Sequence, residues 1–126
     1  MKILIDTSVF IDFSRAGVGL FKELINKSKE NIDLYTPTIV ISEFWAGDDM
    51  NNKSNIKNAE KLFEKVIKIP LDEKIAKSAG ELMRKKEIFG FDAIVAATAL
   101  ELNAQVATSN TKHFSKIKGL KLYSSK

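Results

Sequence analysis

The sequence predicts an α/β fold, a small and mainly parallel central sheet flanked by helices (α/β/α), and three observations carry that reading. Short runs rich in Ile, Leu and Val alternate with stretches whose apolar residues recur at helical spacing. The short runs stop at polar residues or proline, as strands do where they leave a sheet. The chain has 126 residues, 44% of them hydrophobic, which suits one core and one domain spanning residues 1–126.

The elements follow in order. Lys2 to Ile5 reads as a buried strand, and Asp6-Thr7-Ser8 supplies N-cap residue types for a short helix carrying Val9, Phe10, Ile11 and Phe13. Gly17 and Gly19 break the chain before a helix marked by Leu20, Phe21, Leu24 and Ile25. Residues 33–36 form a second strand, stopped by Pro37, and Thr38 can cap a helix running to Trp45. Residues 47–52 read as a polar loop. Ile56, Ala59, Phe63 and Val66 then mark an amphipathic helix, with Lys57, Glu60, Lys61 and Glu64 outward. Residues 66–69 form a weak strand ended by Pro70, and Asp72 caps a helix with Ile75, Ala79 and Leu82 on one face. Phe91 or Asp92 opens the next helix, whose alanines (93, 96, 97 and 99) mark it as the central buried one. A strand at 106–108, a helical turn at 111–114 and an edge strand at 120–123 complete the chain.

Composition excludes several classes. No apolar run is long enough to cross a bilayer, and Met1 leads into a strand rather than a signal peptide, so a cytoplasmic protein with no membrane partner is expected. With no cysteine and one histidine, disulfides, thiolate sites and imidazole-rich zinc sites are out. Any metal must be held by oxygen, which favours Mg2+ or Mn2+. The net charge is +4, with lysines at 112, 116, 118, 121 and 126 and a second cluster at Arg84-Lys85-Lys86. Of these, Arg84, Lys85, Lys86, Lys112 and Lys116 are the candidates for contacting a polyanion such as RNA; lysine for solubility explains either cluster alone.

Asp6, Glu43, Asp92 and Asn110 interrupt apolar or small-residue stretches, and no basic residue adjoins any of them. Carboxylates enter a core only when something offsets their desolvation, and a bound cation does so. In a parallel sheet, ligands bind beyond the carboxyl ends of the strands. Asp6 and Asn110 each follow a strand there, and Glu43 and Asp92 lie near helix starts facing the same edge. Each has an ordinary explanation when taken alone: a helix cap for Asp6, a surface ion pair for Glu43, a helix-dipole partner for Asp92 and a turn residue for Asn110.

Four segments resemble a known family. Asp6-Thr7-Ser8-Val9-Phe10-Ile11-Asp12 is similar to the opening signature of the PIN-domain nucleases, and Ile41-Ser42-Glu43-Phe44-Trp45-Ala46-Gly47 to their second motif. The segment from Phe91 through Asp92 to Ala99 resembles the third, and Thr108-Ser109-Asn110-Thr111-Lys112-His113-Phe114 the fourth, in the form seen in VapC-type toxins of VapBC toxin–antitoxin pairs. The resemblance covers almost the whole chain. It implies a PIN-like fold and a metal-dependent endoribonuclease that leaves a 5′-phosphate and a 3′-hydroxyl. Asp6, Glu43 and Asp92 would be the acidic metal ligands, Asn110 the fourth corner, and Thr7 or Ser8 a supporting hydroxyl. A cognate antitoxin and a homodimer are the implied partners, with Phe10 to Phe13 and the helix near Trp45 as interface candidates. One departure stands out: many relatives carry an acid at the position of Asn110 or of His113. A neutral amide is a weaker ligand for a hard cation, so a second metal is expected to bind weakly here.

Two other readings remain open on the sequence. One is a non-catalytic RNA- or protein-binding module of the same fold, and the other an RNA-processing or quality-control nuclease. Lesser residues read plainly: His113 as packed or capping, Asp12 as a surface group or partner of Arg15, and Asp48 and Asp49 as a solvated loop. Trp45, Phe10 and Phe13 read by default as core.

Overall fold

Strand and helix alternate from the first residues of the chain, in a computed structural model that describes residues 1–28 and 30–124. Strand β1 (Lys2–Ile5) leads into α1 (Thr7–Ala16) and α2 (Leu20–Lys27). Strand β2 (Asp33–Pro37) is followed by α3 (Thr38–Trp45), a 3-10 turn (Asp48–Asn51) and α4 (Lys53–Glu64). Then come β3 (Ile67–Ile69), α5 (Glu73–Arg84), α6 (Gly90–Leu102), β4 (Gln105–Ala107), α7 (Thr111–Phe114) and β5 (Lys121–Leu122). All four strand pairings are parallel, and the strands lie in the order β3-β2-β1-β4-β5, flanked by helices.

That order sets the position of the site. From β1 the sheet grows one way through β2 and β3, and the other way through β4 and β5. The reversal leaves a crevice between β1 and β4 at their carboxyl ends. Ile5 pairs with Ala107, and the Asp6 N–H donates to the Ala107 carbonyl at 3.0 Å. The residues just beyond each strand, Asp6 and Thr108, therefore leave the sheet as neighbours.

Ile3, Leu4 and Ile5 are fully buried, the continuous apolar run expected of a strand covered on both faces. Helix α6 is the central one: Ala93, Val95, Ala96, Ala97, Thr98 and Ala99 are all buried, and it packs on β2, β4, α3 and α5. Its small side chains let backbones approach closely. Asn103 then turns the chain in the left-handed region, and the Ala104 N–H closes the helix end on the Ala99 carbonyl at 2.9 Å. Phe10 joins an aromatic cluster, its ring 4.5 Å from Phe63 and 5.3 Å from Phe21, with Phe44 and Trp45 also against Phe63.

Local details depart from the sequence reading. Thr38 is the first residue of α3, and Pro37 takes the cap position after pairing with Ile69 as the last residue of β2. A proline costs a strand little at its final residue, because the ladder needs no further N–H from it. Residues 47–52 are not wholly loop but hold the 3-10 turn, and β4 begins one residue earlier than expected. Asp72 does cap α5, accepting from the Ile75 N–H at 2.8 Å. Phe10 is fully buried, which removes it from any interface, while Phe13 and Trp45 are half-buried against the core. Among the described residues no helix is long and apolar enough to cross a membrane.

Candidate active site

Asp6 is 3% exposed at the N-terminal end of α1, yet its side chain makes no capping bond. Its Oδ2 accepts instead from Thr108 Oγ1 at 2.8 Å and from Ser8 Oγ at 3.1 Å. The carboxylate is thus turned along the β1–β4 crevice, and capping of α1 is not its main engagement. Burial pushes its pKa up. Bonds from Thr108, the Thr7 N–H and Ser8 pull it back only in part, and the nearby charge of Asp92 raises it further.

Glu43 projects from α3 to the same place, half-buried, and accepts from Thr7 Oγ1 at 2.7 Å. Burial raises its pKa as well, the Thr7 bond opposes this, and the charges of Asp6 and Asp92 add to the rise. Asp92 stands in the first turn of α6, where its Oδ2 lies 3.0 Å from His113 Nδ1. Three carboxylates from three separate elements therefore act on one another electrostatically. Among the described residues none of the three pairs with a lysine or arginine.

Asn110 is placed differently. It is exposed, its backbone N–H donates to Thr108 Oγ1 at 2.9 Å, and its side chain does not cap α7. The loop after β4 reaches the acids through other residues: Thr108 bonds Asp6, and His113 faces Asp92. Sequence reasoning assigned Thr108 no role and read His113 as packed or capping, whereas its side chain is 60% exposed. Asp12 likewise accepts from Ser109 Oγ at 2.6 Å, and its expected partner Arg15 lines a cleft instead. Ser8 completes this seam, accepting from the Ser109 N–H at 3.0 Å. The one signal available was the clustering of Thr and Ser at both strand ends, Thr7-Ser8 and Thr108-Ser109.

Two clefts open beside the acids. One, of about 240 Å³, runs past Glu43, Arg15, Asp48 and Asp49. The other, of about 230 Å³, is lined by Asp92, His113, Lys116, Phe89, Glu87 and Ile88. Of the basic candidates, Lys116 is in this second cleft, Lys112 is exposed on α7, and Arg84, Lys85 and Lys86 are exposed at the end of α5. Lys126 lies outside the described residues.

The donor set suits a hard divalent cation, since it is all oxygen and carries unneutralised negative charge. It is not a closed cage as it stands: among the described residues, no three acidic or histidine side chains are already arranged to enclose an ion. Glu43 is engaged with Thr7 and Asp92 with His113.

Comparison with known proteins identifies the family. The family model for the PIN domain matches residues 3–120. Ribonuclease VapC19 of Mycobacterium tuberculosis is 32% identical over 119 residues, covering 88% of this chain and 90% of its own. Ribonuclease VapC1 of Methanocaldococcus jannaschii is 32% identical over 130 residues, covering 97% and 87%. Among solved structures, VapBC2 from Rickettsia felis bound to a promoter DNA fragment matches with a TM-score of 0.84 at 22% identity over both whole chains. VapBC-1 from nontypeable Haemophilus influenzae matches with 0.79 at 25% identity, over 98% and 97%. With a family model matching most of the chain and relatives at 32% identity over most of its length, the chain belongs to the PIN-domain family, and its relatives there include VapC ribonucleases.

Proposed function

We propose that this protein is a Mg2+- or Mn2+-dependent endoribonuclease, the toxin of a VapBC-type pair acting in the cytoplasm. The observation that carries the reading is the convergence of Asp6, Glu43 and Asp92 at the sheet's switch point, with no lysine or arginine partner for any of them among the described residues. Asp6, Glu43 and Asp92 would hold the cation, which when bound supplies charge stabilisation at the scissile phosphate and lowers the pKa of the attacking water. The protein's own groups do the rest. Thr108 and Ser8 hold Asp6 in place, and Thr7 holds Glu43. Glu43 or Asp92 would take the proton from the attacking water. His113 and Lys116 line the cleft on the Asp92 side, where donors can meet the phosphate backbone.

A cognate antitoxin is the proposed protein partner, by likeness to relatives solved as VapBC complexes, and a homodimer the proposed assembly. The deciding experiment is cleavage of mixed transfer and ribosomal RNA by the purified chain with manganese, with magnesium and with chelator. An Asp92→Asn sample prepared identically controls for contaminating nuclease. Discrete fragments that require both the metal and Asp92 are expected. RNA binding without any cleavage would instead establish a non-catalytic module.

Asn110→Asp tests the fourth corner. An added acid at the rim is expected to tighten manganese binding, read by calorimetry, because a carboxylate is a better ligand than an amide for a hard cation. Unchanged affinity would remove Asn110 from the site.

A further inference from the structure

We propose that the cleft beside Asp92 is a nucleobase-stacking subsite for single-stranded RNA, with Phe89 as its platform; this rests on the nuclease reading above. Phe89 is 62% exposed, against 0–8% for the phenylalanines of the core, and it lines the same cleft as Asp92, His113 and Lys116. An exposed aromatic ring beside the reacting phosphate offers a flat face to whichever base flanks the cut.

The backbone holds the ring outward. Helix α5 ends in a Schellman motif: Lys86 sits in the left-handed region at φ 59°, its N–H bonds the Met83 carbonyl, and the Glu87 N–H bonds the Leu82 carbonyl at 3.1 Å. The next residue, Ile88, is buried, and Gly90 turns the chain again at φ 63° into α6. Phe89 is thus pinned between a buried anchor and a glycine turn. Its exposure is set by the fold on either side of it.

Charge chooses the occupant. Lys116 shares the cleft with His113, and Arg84, Lys85 and Lys86 precede it on the exposed end of α5, with Glu87 and Asp92 as the opposing charges. An apolar protein surface would bury Phe89 at the cost of desolvating these groups. A nucleotide instead brings a π-face for the ring and a phosphate for the cations. Stacking of this kind is indifferent to base identity, so the subsite would orient the strand without reading its sequence.

The test uses the full chain in chelator, with short single-stranded RNA carrying 2-aminopurine at successive positions. Wild type and Phe89→Trp are expected to quench one position, and Phe89→Leu to lose that quenching and bind about ten-fold more weakly. Removing the base at that position should weaken wild type to a similar degree and leave Phe89→Leu unchanged, because the two losses are the same contact. Equal quenching and affinity in Phe89→Leu, with wild type still cutting RNA in manganese, would overturn the subsite alone. A shifted monomer–dimer balance with unaltered RNA binding would assign the ring to a second copy and overturn it too. Failure of wild type both to bind and to cut RNA would remove the nuclease reading and the subsite with it.

Discussion

Asp6→Asn is expected to lower metal-dependent cleavage by more than about 100-fold, because even partners one shell beyond a metal's ligands cost about 10–100-fold when removed. The same change is expected to make the metal-free protein more stable. Asp6 is almost wholly enclosed and lies near two other carboxylates, so its charge opposes folding when no cation is present. An asparagine fills nearly the same space, and its carbonyl can still accept from Thr108 and Ser8. The sign of the pH dependence follows from the raised pKa. Between the unfolded value and the higher folded value, the folded chain binds more protons, so stability is greatest below that window and falls as pH rises through the folded pKa. Melting curves in chelator should show this fall in wild type and a smaller one in Asp6→Asn. Glu43 contributes with the same sign, and its share should shrink in the variant because the Asp6 charge is one cause of its shift. A variant that cuts RNA at the wild-type rate would remove Asp6 from the chemistry, and a lower melting temperature in chelator would contradict the electrostatic argument.

Phe10→Ala is expected to cost about 3–5 kcal/mol, against a total stability of about 5–15 kcal/mol for a domain of this kind. Phe10 is fully buried, its ring packed at a tilt against Phe63 of α4 and Phe21 of α2, so its removal opens a cavity where three helices meet. Denaturant unfolding should show a lower midpoint with an unchanged slope. The effect should extend to function, since α1 carries both Phe10 and the Thr7 that holds Glu43. A loss under about 1 kcal/mol would mean that the ring is not packed as described.

Much of this was legible before any coordinates. Helical spacing located α2, α4 and α5, and Asp72 capped α5 as its residue type suggested, because these are contacts between near neighbours in the chain. The acids were legible for a different reason. A charge inside an apolar run is expensive, and the sequence shows the expense even when the partner is far away. Thr108 was given no role and His113 was read as packed or capping because hydroxyl and imidazole groups are cheap to expose, and nothing in their local sequence demanded a partner. Phe89 escaped for the opposite reason: an aromatic residue reads as core wherever it falls.

The sequence by itself determined the alternation of strand and helix and most of the core, since burial and backbone periodicity are written residue by residue. Only the tertiary structure decided that β1 and β4 are neighbours, with the sheet order reversing between them. That adjacency brings Thr108 to Asp6 across 102 positions, while the packing of α7 on α6 brings His113 to Asp92 across 21. The packing of α3 on α1 brings Glu43 to Thr7 across 36 positions. Strand order follows from which faces pack against which helices, a balance summed over the whole core, and no single stretch of chain contains it.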